Sequence, residues 1–175
     1  MALVRIGAAD LGRLRRHLLC TPRCEQGAFL FCRYSSSGDH HVFDCEDWLP
    51  LERADYEVQA SDYLELTDAA RARLIKLAHN RGICLVESHS HPGPYPAAFS
   101  YSDLTGLDEF VPHVRWRLRG RPYAALVFSQ SGFDGLAWTD EGGTRPQQLA
   151  AIETETALLA ATGLTLARRP KAAHG

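Results

Sequence analysis

Residues 83–91, ICLVESHSH, run directly into PGPYP and then into AAFSYSD, which ends at Asp103. The apolar, β-branched start reads as a buried strand. Pro92 and Gly93 stop it, since proline has no N–H to give a ladder and glycine favours a turn. Ser100 or Ser102 then suits the N-cap of a helix running to about residue 118, with Pro112 as a kink point. This stretch commits the chain to a strand, a loop and a helix in immediate succession, with polar side chains gathered at the junctions.

Alternate side chains of a strand share a face, so His89 and His91 point the same way, about 6.6 Å apart along the axis. Two imidazoles so placed can converge on one ion, each nitrogen roughly 2.0–2.1 Å from zinc. Asp103, at the start of the helix, can return a carboxylate to the same ion. Two His and one Asp leave one tetrahedral position for water, which distinguishes catalytic from structural zinc. Zinc lowers the pKa of such a water to about 7. The plainer alternative is a strand end whose histidines are ordinary satisfied polar groups. A lone HxH fits that alternative; HxHP with a short loop and SxxD is a rarer conjunction and favours the metal. Ser88 and Ser90 face the other side of the strand, where small side chains allow close packing.

The flanking pattern is mixed. Leu11, Leu14, Leu18 and Leu19 recur at helical spacing over 8–19, and Pro22 ends that helix. GAFLFCRY (27–34) and HVFDCEDWL (41–49) read as a hairpin around SSSGDHH, followed by an extended stretch over 56–66. Thr67 suits an N-cap and Gly82 a C-terminal stop for the helix between them. YAALVFSQ and GLAWTD form a strand pair around SGFDG. A terminal helix is predicted over 146–161 and a loose tail over 163–175. With no regular βαβ alternation, these elements predict an α/β fold, one domain over 1–162 with a mixed sheet flanked by helices.

At 175 residues and a formal charge of −2, the chain has a core's worth of apolar residues and no basic surface for nucleic acid. Its one dense basic run outside the helices, 168–171, reads as solvated tail. Arg5, Asp10 and later arginines break up the N-terminal segment, so it does not read as a signal peptide. No run approaches the ~18 apolar residues of a membrane span, and the expected location is cytoplasmic. The cysteines at 20, 24, 32, 45 and 84 are odd in number and include no CxxC, which suits reduced, buried thiols. Cys20 and Cys24 lack the second pair a zinc finger needs.

The order His89-Ser-His91-Pro92, then Ser100-x-x-Asp103, resembles the JAMM motif of the JAB/MPN zinc metalloproteases, in their prokaryotic form. The gap between His91 and Ser100 is eight residues, where that family usually has seven. The resemblance extends to CEQGAFLFC (24–32), like the family's glutamate-then-glycine approach to a hydrophobic strand, and nominates Glu25. It implies the MPN fold, a curved mixed sheet with helices on both sides and cytidine-deaminase-like layering. It implies one Zn2+ per chain on His89, His91 and Asp103, Glu25 as general base and acid, and Ser100 as oxyanion donor. Capping is the competing role for Ser100. Glu87 shares the strand face of the histidines and is the rival base, or else a partner holding an imidazole tautomer.

The implied activity is cleavage of a peptide or isopeptide bond after the tail of a ubiquitin-like protein, in deconjugation or precursor processing. The substrate would then be that protein or its conjugate, with E1/E2-like conjugation proteins as further partners. A sulfur-carrier-processing peptidase and a non-catalytic scaffold of MPN type are the alternatives. Tyr95 and Phe99, in the loop beside the metal, are the expected walls of a groove for the extended tail. His40, His41, His79, His113 and His174 have no partner pattern and read as ordinary polar residues.

Overall fold

The computed structural model describes residues 1–140 and 145–168. Ten strands and four helices occur among them. In chain order they are β1 Ala2–Arg5, α1 Ala8–Leu18, β2 Gly27–Ser37, β3 His40–Pro50, β4 Tyr56–Gln59, β5 Leu64–Leu66 and α2 Asp68–Arg81. They continue as β6 Cys84–Ser90, α3 Tyr101–Arg117, β7 Tyr123–Ser129, β8 Gly132–Trp138, β9 Gln147–Glu153, β10 Leu158–Ala160 and α4 Leu164–Arg168.

The sheet follows the order β1-β3-β2-β6-β7-β8-β9, and β9 pairs again with β1, so seven strands close into a barrel. β10 adds antiparallel to the distal half of β9, and β4–β5 form a separate two-stranded ribbon. β1 is parallel to both β3 and β9, β6 is parallel to β7, and the remaining barrel pairs are antiparallel.

This closure corrects the expected fold. An MPN-type curved sheet with helices on both sides and deaminase-like layering requires open edges, and a closed barrel has none. Two segments account for the difference. ALVR near the N-terminus, to which the sequence pattern assigns no element, is a strand, β1. The helix predicted over 146–161 is instead β9 and β10. Ala, Leu and Glu there favour a helix locally, but pairing of β9 with β1 and β8 buries Leu149 and Ile152 and overrides that preference. The tail expected from 163 also begins as structure, since α4 carries the buried Thr165. Residues 169–175, and with them most of the basic run, lie outside the described residues.

Period-two alternation sorts the strand residues into two cores. One face of every barrel strand contributes to an inner cluster that includes Val4, Leu30, Phe43, Val86, Leu126, Phe133 and Leu149, and α1 adds Leu11, Leu14 and Leu18. The opposite face of β2, β6, β7 and β8 packs under α2 and α3, with Phe29, Leu85, Tyr123, Leu74 and Val114 among its members. Thr67 caps α2 through Ala70 N, and Gly82 ends it at φ 69°, a left-handed conformation that glycine adopts without strain. Cys32 and Cys84 are buried, as expected of apolar thiols, but Cys20 is exposed and Cys24 half-buried. No helix among the described residues is long and apolar enough to cross a membrane.

Gly135 faces the barrel interior, where an added Cβ would meet both Leu126 Cδ2 and Leu149 Cβ at 3.0 Å. Leu149 Cβ is fixed to its strand and cannot swing away. Gly135→Ala is therefore expected to cost about 1–3 kcal/mol of stability by denaturant unfolding, as an overpacked interior does. An unchanged midpoint would show that the interior has room to spare.

Candidate metal centre

β2 and β6 run antiparallel with Gly27 opposite His89, which brings the segment preceding β2 alongside the end of β6. Glu25 lies in that segment. Its N–H donates to Ala60 O at 2.7 Å, and its carbonyl accepts from Gln59 Nε2 at 2.9 Å, so the residues at and after the end of β4 fix its backbone. Gln26 is tied to Ser90 by reciprocal bonds of 3.0 Å, from Ser90 N to Gln26 O and from Gln26 N to Ser90 Oγ. His91 lies just past β6 and still pairs with β7, donating its N–H to Phe128 O at 2.8 Å. His89 thus stands on backbone paired on both sides, and His91 on backbone tied to β7.

Asp103 arrives from α3. Ser100 is the N-cap: its Oγ accepts from Asp103 N at 3.1 Å, and its own N–H donates to Asp103 Oδ2 at 2.6 Å, a closed capping box. The box aims Asp103 Oδ2 at the histidines. That oxygen is 3.1 Å from His91 Nε2 and 3.5 Å from His89 Nε2, and the two nitrogens are 3.2 Å apart. A tetrahedral ion with bonds of roughly 2.0–2.1 Å has ligand–ligand edges of about 3.3–3.4 Å. The edges of the donor triangle, 3.1, 3.2 and 3.5 Å, scatter about that length. Glu25 Oε1 lies 3.5 Å from His91 Nε2, and the ligating atoms of Glu25, His89 and His91 are all within 4.8 Å of one another.

Two further observations fit a metal. Glu25 is buried, and its Oε2 has no hydrogen-bond partner, which is costly for a carboxylate unless something positive or proton-donating approaches it. The charge distribution is also unbalanced toward cation demand. Burial opposes a charge on His89, but Asp103, Glu25 and Glu87 outweigh it and push its pKa up to about 9. Burial likewise opposes ionisation of Asp103, and His89 and His91 reverse that, holding the carboxylate far below its ordinary range. Burial raises the Glu25 pKa, an effect the histidines offset only in part. The group can hold a divalent metal ion.

The nominated residues do not all play the expected parts. His89, His91, Asp103 and Glu25 come together. Ser100 is at the rim as helix cap, its Oγ also 2.9 Å from Ser102 Oγ. Glu87 is held away from the donor triangle by a hydrogen bond from Tyr123 OH, and burial raises its pKa. In the loop between His91 and Ser100, Pro94, Tyr95 and Pro96 are exposed. Tyr95 points into solvent, 78% exposed, and Phe99 is buried with its ring edge-on to His89. Neither lines a groove. The cleft beside the site is instead bounded by Glu25, His89, Asp103, Tyr101 and Tyr63, with Phe29, Leu64, Leu66, Ile75 and Phe110 in its walls, and its volume is about 1220 Å³. Tyr63 and Tyr101 carry no sequence pattern that marks them as cleft residues.

No protein-family model and no curated protein matches the chain. In fold it is similar to protein DSY2949 from Desulfitobacterium hafniense, known from a solution structure, with a TM-score of 0.54 and 16% identity over 87% of this chain and 94% of that one. At that identity the likeness concerns the fold alone.

An ion bound only by the folded chain stabilises it by about 2.7 kcal/mol when present at one hundred times its dissociation constant. Thermal unfolding with and without added divalent metal is expected to show that gain for the wild type and lose it for His89→Ala and Asp103→Ala. Equal gains in the variants would rule out this donor set.

Proposed function

We propose that the protein is a zinc-dependent peptidase or isopeptidase that cleaves after the C-terminal tail of a ubiquitin-like protein. The observation that carries the reading is the donor triangle of His89, His91 and Asp103 with a buried, half-unpaired glutamate beside it. The arrangement of Glu25, HxHP and SxxD resembles the JAMM motif, whose chemistry the site residues are suited to perform. Zinc bound there would supply a Lewis acid and a water of lowered pKa.

The chain's own groups provide the remainder. Glu25, its pKa raised by burial, takes a proton from the attacking water and returns it to the departing amine. Burial keeps that carboxylate from being levelled by solvent. Ser100 Oγ accepts from Asp103 N, which leaves its hydroxyl hydrogen available to a carbonyl oxygen that is becoming tetrahedral. Glu87 is tied to Tyr123 and takes no part as base.

The cleft supports an extended peptide over a small molecule. Its volume of about 1220 Å³ exceeds the ~300–1,000 Å³ usual for small-molecule pockets. Leu64, Glu65 and Leu66 of β5 line it, and β5 pairs with β4 alone among the described strands. A tail laid beside such a strand gains main-chain hydrogen bonds, with side-chain pockets giving selectivity. Conjugation proteins of E1 or E2 type would be the substrate's associates on this reading, and a sulfur carrier is the alternative substrate. A scaffold without activity would have no need of Glu25 buried beside the donors.

The test is zinc analysis of the purified protein together with cleavage of a panel of ubiquitin-like fusions. One zinc per chain and chelator-sensitive cleavage of at least one fusion are expected. Glu25→Ala should keep its zinc and lose about 10²–10⁴-fold in turnover. A fully active Glu25→Ala enzyme would refute the assignment of the base, and a zinc-free wild type would refute the class.

A further inference from the structure

The segment joining His91 to Asp103 is fastened by residues more than sixty positions further along the chain. Phe99 N–H donates to Thr165 Oγ1 at 3.0 Å, and Thr162 Oγ1 donates to Ala97 O at 2.6 Å. Thr165 is 3% exposed and its own hydroxyl donates to Asp134 Oδ2 at 2.6 Å. Asp134, fully buried in β8, is an acceptor for five donors: Gly135 N, Gln148 Nε2, Gly163 N, Thr165 N and Thr165 Oγ1.

The direction of this chain of bonds is fixed by chemistry. An amide N–H only donates, so the Thr165 oxygen is the acceptor for Phe99. That leaves the Thr165 hydroxyl hydrogen pointing at Asp134 Oδ2. Phe99 in turn serves both halves of the metal site. Its ring sits edge-on to His89, centroids 5.6 Å apart, and its carbonyl leads into Ser100, the cap that aims Asp103. The barrel therefore reaches the site by two routes, through β6 to the histidines and through Asp134 and Thr165 to the loop.

We propose that Thr165, oriented by Asp134, is a positioning residue that sets the distance between Asp103 and the two histidines, with Thr162 as a second tie on the same loop. The proposal rests on the reading of His89, His91 and Asp103 as metal ligands. Thr165 touches neither metal nor substrate. It holds the Phe99 backbone, and the position of Phe99 decides where the capping box begins. Loss of an outer partner of a metal ligand typically lowers metal affinity 10–100-fold, and that is the size of effect expected here.

The experiment is a cobalt titration of the metal-free full-length protein, followed by the visible absorption of the bound ion and by calorimetry. Thr165→Val keeps the shape and removes both hydrogen bonds, and it should weaken cobalt about 10–100-fold. Thr165→Ser restores both bonds and should bind as the wild type does. Phe43→Leu, in the barrel interior, should lower thermal stability and leave affinity unchanged, which separates positioning from general loosening. Thr162→Val, at an exposed position where misfolding is not at issue, should weaken binding about threefold to tenfold, as loss of its one hydrogen bond to the loop does. Equal affinity in the wild type and both valine variants overturns the proposal, as does a serine variant as weak as Thr165→Val. A wild type that takes up no cobalt overturns it together with the metal reading, whereas tight wild-type binding with unaffected variants overturns the proposal alone.

Discussion

The antiparallel register of β2 with β6 decides which polar side chains of this protein meet at the rim of the barrel. Gly27 opposite His89 leaves Glu25 beyond the start of one strand and His91 beyond the end of the other, on the same rim of the barrel. A shift of one residue would turn the histidines into the inner core, because side chains alternate between faces. Gly27 is also where the backbone needs room. A Cβ there would meet Leu51 Cδ1 at 3.0 Å and the Tyr56 oxygen at 3.3 Å, and Tyr56 OH is the acceptor for Gly27 N–H. A side chain at Gly27 would push β4 away, and the backbone around residues 59 and 60 holds Glu25 in place.

Around that rim the protein gathers acidic and imidazole groups whose burial is costly unless they are paired. Two carboxylates and two imidazoles sit within a few ångströms, largely out of water, and one carboxylate oxygen has no partner. Without metal, the His89 proton partly balances Asp103. A divalent ion would replace that proton and satisfy the same oxygen and nitrogens at once. Marginal stability leaves little surplus for such an arrangement, so the surrounding hydrogen bonds to Ala60, Gln59, Ser90 and Phe128 are what make it tolerable.

The parts of the site legible in the sequence are those whose logic is local. The strand and loop of 83–99 and the SxxD cap need only period, proline and short-range hydrogen bonding, and Thr67 and Gly82 bound α2 for the same reason. Barrel closure is not local. β1 has four residues, too few to reveal a period, and β9 carries helix-favouring residues that become a strand only because β1 and β8 lie beside it. The support of the loop is hidden for the same cause: Asp134 and Thr165 are unremarkable in sequence and meet the Phe99 backbone only in the folded chain. Tyr95 illustrates the opposite case, where nearness in sequence to the histidines suggests a groove wall and the bend at 93–95 carries the ring into solvent.

Ser100 shows why capping and catalysis need not compete. An N-cap uses a lone pair of its oxygen, here toward Asp103 N, and holds the residue's own N–H on Asp103 Oδ2. An oxyanion needs a hydrogen, and the hydroxyl hydrogen is not consumed by the cap. Ser102, 2.9 Å away, can share that hydrogen when the cleft is empty, so it is not left without a partner. The cap also stiffens the first turn of α3, where Asp103 sits. On the proposed reading, one side chain would fix Asp103 through its lone pair and offer its proton to a substrate carbonyl, and both duties would follow from placing the serine three residues before the aspartate.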